Sequence, residues 1–283
     1  MKHKISAIII AWNEEKQIRA CLESLKDAVA EIIFVHDGFC RDRTIDIAKE
    51  YTNNVFIKKS PGGSSEFIRP FAISKASGDW ILHIDADERL SSQLASRLSK
   101  LVTSPKIDAY SFRWPFYDEH GNRIEQYMPK FKKVLFRRSK IYHLGMPHLG
   151  SETYGVHRNC NYILEHHFKS ESARKHKLAN DFRKNQVRAR TAVLLLSNPN
   201  QISTYNCSLS HYPGINGITL WFIRRLPFPT ILFLPLMSFF YRYLIKRYFM
   251  EGSLGFTTSL NVPTYYFFIC YYRLTSFVNV FLK

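Results

Sequence analysis

The chain is short of acid and lacks any organised cysteine. Its 283 residues carry 40 Lys+Arg against 23 Asp+Glu, a formal charge of +17. An excess of that size calls for anionic partners: nucleic acid, a phosphorylated substrate or an acidic membrane surface. The five cysteines, Cys21, Cys40, Cys160, Cys207 and Cys270, are scattered, odd in number and form no Cys-x-x-Cys pair. Their spacing argues against a zinc cluster or a disulfide framework and fits a reducing cytosol. No internal repeat is visible. No RNA- or DNA-binding signature accompanies the charge, so nucleic acid is not an expected partner. The opening MKHKISAIIIAWNEE has an apolar run too brief for a secretory leader, and acids follow at once. It reads as a first β-strand.

What is present is enough apolar residue, 46%, to bury a core. ISAIIIA (5–11), EIIFVH (31–36), VFIK (55–58) and WILHI (80–84) read as strands. Between them, NEEKQIRACLESLKD, Thr44–Tyr51 and Phe67–Ala76 have helical spacing, with Asn13 expected to cap the first helix. Strands alternating with helices predict an α/β fold with a mostly parallel, doubly wound sheet. Near-continuous apolar strands predict helices on both of its faces. In such sheets ligands bind past the carboxyl ends of the strands. Asn13, Asp37, Asp85 and Asp87 all fall there, so residues more than seventy positions apart are expected to converge on one crevice.

The second half is less regular. WPFYDEHGNRIEQY reads as strand, turn and strand about Gly121-Asn122. The stretch from His166 to Arg190 is basic and reads as an amphipathic helix. After about Pro213 the character changes. LPFPTILFLPLMSFFY (226–241) has no charge, and Arg242, Lys246 and Arg247 follow; a second charge-free stretch runs from Gly252 to Tyr272. A span needs roughly 20 predominantly apolar residues. The first run is short and holds three prolines, and the second is half polar. An in-plane or re-entrant segment, with aromatics in the headgroup layer and Arg/Lys facing anionic lipid, is therefore expected. A buried core helix and a true span are the alternatives. This division places a catalytic domain at 1–212 (halves 1–103 and 104–212) and a membrane-associating tail at 213–283.

The sharpest signal is GDWILHIDADERL (78–90), an apolar strand ending in Asp85, Asp87 and Glu88. Carboxylates at a strand end can hold Mg²⁺ or Mn²⁺, which favour oxygen ligands. A divalent ion there could neutralise a departing diphosphate. The bland alternative is a solvated turn capping the next helix.

Three blocks carry a wider pattern: AWNEEKQIRACLESL (11–25), EIIFVHDGFCRDRTIDIAKEY (31–51) and IRPFAISKASGDWILHIDADERL (68–90). In that order and spacing the first 100 residues resemble an inverting family 2 glycosyltransferase of the GT-A fold. The likeness continues more weakly through VLFRRSKIY and the tail, as in bacterial membrane-associated members that build lipopolysaccharide core, capsule or related glycans. The resemblance implies a nucleotide-sugar donor, usually a uridine diphosphate sugar, and a divalent metal. It implies that Ala11, Asn13 and Glu15 line the nucleotide pocket and that Asp37 contacts the base. Arg69 would lie near the diphosphate, Asp85 at the ribose or metal shell, and Asp87 on the metal itself. Two departures stand out. Pro70 replaces the usual Asn, and Phe39-Cys40 replace the usual Ser-Thr, while Asp42 and Thr44 keep the rest of that pattern.

An inverting transfer also needs a base for the acceptor hydroxyl. Glu152 in PHLGSETYG is the favoured candidate, with Asp118, Glu119 and His148 as alternatives. His166-His167 could add a late metal or phosphate ligand. A sugar nucleotidyltransferase shares the architecture but would carry a glycine-rich, Arg-containing signature where AWNEEKQ stands. A non-catalytic basic membrane module would explain the charge but not acids gathered at strand ends. The expected setting is the cytoplasmic face of a bacterial inner membrane, with a lipid-linked or glycan acceptor.

Overall fold

The computed structural model describes residues 3–118, 120–124, 130–167, 177–209 and 212–281. Its first half is built from β1 (Ile5–Ala11), α1 (Glu15–Leu25), β2 (Glu31–His36), α2 (Thr44–Lys49), β3 (Val55–Ile57), α3 (Arg69–Lys75), β4 (Trp80–His83), β5 (Glu88–Leu90) and α4 (Ser92–Leu101). There follow β6 (Ala109–Arg113), β7 (Phe116–Tyr117), β8 (Arg123–Ile124), β9 (Phe131–Arg137), β10 (Ile141–Leu144), β11 (Glu152–Thr153), β12 (His157–His167) and β13 (Thr204–Tyr205). Four longer helices complete the chain: α5 (Lys177–Ser197), α6 (Gly214–Arg225), α7 (Pro227–Phe240) and α8 (Gly252–Phe281).

The main sheet runs β3-β2-β1-β4-β9-β6-β12-β7-β8, with β5 on β12. β3, β2, β1 and β4 are mutually parallel, and β9 enters antiparallel between β4 and β6. The α/β expectation therefore holds. β1 is buried along its whole length because both faces are covered. Ile5, Ala7 and Ile9 pack with Ile18, Leu22 and Leu25 of α1 and Leu94 and Leu98 of α4. Ile8 and Ile10 face the other way, onto Ala72 and Ile73 of α3. Strand alternation thus divides one apolar run between two cores.

Asn13 does not cap α1. It takes a left-handed backbone with φ of 52°, and its side-chain oxygen accepts from the Arg41 N–H at 3.0 Å. The loop after β2 supplies the cap instead. Thr44 Oγ1 accepts from the Glu14 N–H at 2.7 Å, and an Asp42 carboxylate oxygen accepts from the Glu15 N–H at 3.2 Å. Pro70 is explained by its place in the first turn of α3, where a missing N–H costs nothing. Of the helix expected from His166 to Arg190, the described part lies in α5 from Lys177, and His166 and His167 instead finish β12. Leu90 and His166 are fixed to the same sheet by the antiparallel β5–β12 pair.

A second core joins Tyr142, Leu144, Met146 and Leu149 to Ala189, Val193 and Leu196 of α5 and to Tyr265, Phe268 and Ile269 of α8. It takes residues from both sides of position 213. Asn185, fully buried, pins α5 to α8 by donating to the Asn261 carbonyl at 2.6 Å and to Thr264 Oγ1 at 3.0 Å. α7 is different. It continues helically to Ile245, and of these 19 residues only Pro227 and Thr230 are buried. The buried-core alternative for this run is thereby overturned. At 1.5 Å per residue the segment is about 28 Å long, so by length and composition it could cross a membrane.

Candidate active site

The parallel pairing brings the loop ends together. Ala11, the last residue of β1, lies beside His36 of β2, and Ile8 beside His83 of β4. Asp37 and the Asp85–Asp87 turn therefore leave the sheet at the same edge, on either side of the β1–α1 loop. Asp37 is held ready by Ser60, whose N–H and hydroxyl donate to its two oxygens at 2.7 and 2.5 Å. Asn13 donates its N–H to His36 Nε2 at 3.3 Å, and a Glu15 carboxylate oxygen accepts from the Arg43 N–H at 3.2 Å. These bonds stitch the first two loops into one rim. Trp12 and Phe39 stand exposed on it; Phe39 is the residue that replaces the usual Ser, and Trp12 is an aromatic face that the sequence alone did not single out.

The Asp85–Asp87 turn is a dense electrostatic cluster. Lys132 of β9 puts its ammonium 2.6 Å from an Asp85 oxygen and 2.6 Å from a Glu88 oxygen. Glu88 is 0% exposed. It also accepts from Trp114 Nε1–H at 2.6 Å and from the Asp85 N–H at 2.8 Å. The Lys132 ammonium lies 5.0 Å from the centre of the Trp114 ring. Burial would raise the Asp85 carboxyl, but the Lys132 and Arg69 charges outweigh it and hold the group well below the ordinary carboxylate range. At Glu88 burial prevails and pushes the carboxyl up against the pull of Lys132. The third acid of the GDWILHIDADERL stretch thus works inward: it shapes the turn and anchors a lysine.

Arg69, nearly buried at the start of α3, approaches Asp85 at 3.9 Å and is braced by Glu66 at 3.1 and 3.3 Å. Glu66 in turn lies 3.2 Å from His143 Nε2, His143 Nδ1 is 3.0 Å from Ser151 Oγ, and Ser151 Oγ is 3.3 Å from His83 Nδ1. Burial would raise the Glu66 carboxyl, but Arg69 and His143 prevail and lower it. Burial pushes His143 down to about 4, so at neutral pH its ring is uncharged. This chain ties β4, α3 and β10 together beneath the turn.

Asp87 points toward the other half of the protein. Its carboxylate lies 3.3 Å from His166 Nε2, and its carbonyl accepts from the His167 N–H at 2.8 Å. His166 is set against Trp114 and Phe116, with ring centres 4.7 and 4.8 Å away. His167 faces the opposite way, to Glu165 at 3.0 Å and Arg89 at 3.3 Å. Of the pair, then, His166 is the one that joins the motif. A carboxylate oxygen beside an imidazole nitrogen is a mixed oxygen–nitrogen donor pair that a divalent cation could share. Among the described residues no group of three or more His, Cys, Asp or Glu side chains converges as a metal cage. Any ion here would draw further ligands from substrate or water, as is usual where a diphosphate is bound.

Glu152 is not drawn into contact with either aspartate. Its carboxylate pairs with Lys133, the neighbour of Lys132 on β9. It remains one residue from Ser151 of the buried chain. Asp118 is spent on its turn, accepting from the His120 and Asn122 N–H groups at 2.9 and 2.8 Å. Glu119 lies outside the described residues. His148 sits at the second core, 3.1 Å from Asn185 and against the Tyr265 ring.

The family profile for "Glycosyl transferase family 2" matches residues 6–168, more than half of the chain. The chain belongs to glycosyl transferase family 2. An uncharacterized glycosyltransferase of Rickettsia felis is 38% identical over 107 residues, 38% of this chain and 37% of that protein. The lipopolysaccharide core biosynthesis glycosyltransferase LpsC of Rhizobium meliloti is 31% identical over 144 residues, 49% of this chain and 53% of that protein. The matched stretch thus spans from about a third to about half of these relatives' length. A crystal structure of S. aureus TarS 1–349 in complex with UDP-GlcNAc is similar at a TM-score of 0.46 and 14% identity, over 96% of this chain and 92% of that one. The matched region covers every element that carries Asp37, Arg69, Asp85, Asp87, Glu152 and His166.

Proposed function

We propose that this protein transfers a sugar, with inversion, from a nucleotide-sugar donor to a glycan or glycolipid acceptor of the bacterial cell surface. The observation that carries the reading is the meeting of Asp85, Asp87, Arg69 and His166 at the carboxyl edge of β4, beside Asp37. LpsC, named for lipopolysaccharide core biosynthesis, favours a cell-surface glycan as product. The donor is a uridine diphosphate sugar in this reading. Asp37, positioned by Ser60, accepts from the base, while Ala11, Asn13 and Glu15 form the pocket floor and Trp12 and Phe39 offer flat faces to the ring.

The remaining roles follow from charge. Asp87 and His166 would hold a divalent cation, Mn²⁺ or Mg²⁺, which when bound supplies positive charge to the leaving diphosphate. Arg69 faces the same diphosphate and stabilises the charge that builds as the bond from the anomeric carbon to its oxygen breaks. Asp85, kept ionised by Lys132, orients the ribose or completes the metal shell. Glu152 takes the proton of the acceptor hydroxyl as that oxygen attacks the opposite face of the sugar. Lys133 pairs with the Glu152 carboxylate and fixes its position. Residues 1–212 act as the catalytic domain and 213–283 as the part that meets the cytoplasmic face of the membrane, peripherally or as a monotopic segment.

Calorimetry with a panel of nucleoside diphosphates and their sugars, with and without Mn²⁺, tests this directly. Metal-dependent binding of one nucleotide, abolished by Asp87→Ala, is the expected result. No binding of any nucleotide by the folded protein would sink the transferase mechanism and leave the basic membrane module.

A further inference from the structure

Beneath α7 lies a cavity of about 600 Å³ that none of the roles above uses. Glu66, His148, Gly150, Arg188, Ser238 and Arg242 are among its walls. Three features define its chemistry. Two guanidinium groups, Arg188 of α5 and Arg242 just past α7, reach it from different helices. His148 adds an imidazole that burial pushes down to about 4, so at neutral pH it contributes polarity without charge. The single acid, Glu66, is already engaged by Arg69 and His143. Among the described lining residues two guanidinium groups accompany one acid, and forked guanidinium donors match phosphate oxygens.

The cavity has two borders. On one side it shares Glu66 with the Arg69–Asp85 cluster, and Gly150 lies two residues before Glu152. On the other it opens under α7, whose outer surface is apolar and unburied: Phe228 and Met237 are each 68% exposed and Phe233 63%, with Leu232, Leu236 and Phe240 between them. Ser238 and Arg242, four residues apart, lie on one side of the helical segment, so the same element offers polar groups inward and hydrocarbon outward. An exposed apolar patch of this kind beside an internal cationic cavity matches an amphiphile with an anionic head.

We propose that this cavity binds a lipid-borne phosphate monoester. The phosphate, a terminal substituent of a glycolipid, sits between Arg188 and Arg242, the hydrocarbon chain lies along the exposed face of α7, and the glycan, joined to the lipid through a bond other than this phosphate, is directed past Gly150 toward the transfer site. This rests on the transferase reading for its purpose, since it names how the acceptor is held, but its binding chemistry stands apart from the donor site.

The test measures partition of the full chain onto phosphatidylcholine vesicles containing either phosphatidic acid, a phosphate monoester, or phosphatidylglycerol, matched in surface potential. The expected result is at least a fivefold preference for phosphatidic acid. Arg188→Gln/Arg242→Gln should abolish that preference, and so should Ser238→Trp, which fills the cavity while leaving both arginines. Lys246→Gln/Arg247→Gln, outside the cavity, should weaken both vesicles alike and keep the preference. Equal affinity for the two lipids would overturn the proposal. A preference that survives Ser238→Trp would also overturn it, as would loss of the preference in the outer pair. Inorganic phosphate that displaces the protein from phosphatidic acid at micromolar concentration would assign the cavity to a soluble anion instead. Donor binding is read separately by calorimetry in the same variants. Its absence in the unsubstituted protein would refute the transferase mechanism without touching the lipid result, and its persistence in the cavity variants shows that they are folded.

Discussion

Lys132→Met separates an electrostatic role from a packing role at the Asp85–Asp87 turn. The substitution keeps most of the side-chain volume over Trp114 but removes the charge that lies 2.6 Å from both Asp85 and the fully buried Glu88. Asp85 is partly exposed and can recover water. Glu88 cannot, so it takes up a proton. Protonating a carboxyl of ordinary pKa 4.5 at pH 7.5 costs about 4 kcal/mol, at 1.36 kcal/mol per pH unit. That figure caps the loss of stability, and it agrees with the roughly 3–5 kcal/mol for breaking a buried ion pair. The sign follows from linkage. In the variant Glu88 holds a proton in the native state that the unfolded chain releases, so stability falls as pH rises above 4.5. At pH 5.5 the same cost is only about 1.4 kcal/mol. Urea unfolding followed by tryptophan fluorescence should therefore show a deficit of up to about 4 kcal/mol at pH 7.5 that shrinks to no more than about 1.4 kcal/mol at pH 5.5. Lys132→Met/Glu88→Gln should regain part of the loss at pH 7.5, because Gln carries no charge to neutralise, but its single amide oxygen can accept from Trp114 or from the Asp85 N–H and not from both, since these two donors reach different oxygens of Glu88. A deficit equal at both pH values, or one below about 1 kcal/mol at pH 7.5, would refute a charge-based role for Lys132.

Three further outcomes probe the site. His166→Gln should weaken Mn²⁺-dependent nucleotide binding at least tenfold while His167→Gln leaves it within about twofold, read by calorimetry; equal effects would remove the distinction between the two rings. Glu152→Gln should lower turnover about 10²–10⁴-fold with donor affinity unchanged, and near-normal turnover would remove it as base. Glu66→Gln should free Arg69 from its brace and lower donor diphosphate affinity roughly tenfold, with a smaller loss for a nucleoside that has no phosphate; equal losses for the two would mean that Glu66 acts on the fold alone.

The donor half was legible in the sequence because its logic is local. ISAIIIA, EIIFVH and WILHI are apolar runs with sharp polar ends, and parallel pairing of neighbours through short helices leaves few alternatives for where those ends meet. Asp37, Asp85 and Asp87 follow from that alone. The rest of the site depends on pairings that no local pattern encodes. Which histidine turns toward Asp87 is decided by β5 lying antiparallel on β12, nearly eighty residues away, with Glu88 opposite His166. Lys132 and Lys133 are neighbours on one strand, and alternation sends one to Asp85 and the other to Glu152. A register slip of one residue would exchange their partners, and β9 in fact carries an irregularity against β6 at Tyr110/Ser111. Even Asn13, whose type favours a helix start, loses that role once Thr44 and Asp42 arrive from the next loop to do it better. The division has a functional counterpart. The residues assigned to the nucleotide come from the self-contained half. Those assigned to metal completion, base and acceptor come from strands and helices whose register is set by long-range pairing. A slip of β9 should therefore exchange the partners of Lys132 and Lys133, whereas a slip of β12 should displace His166 from Asp87 and weaken the metal-dependent part of nucleotide binding while leaving the contacts of Asp37 in place.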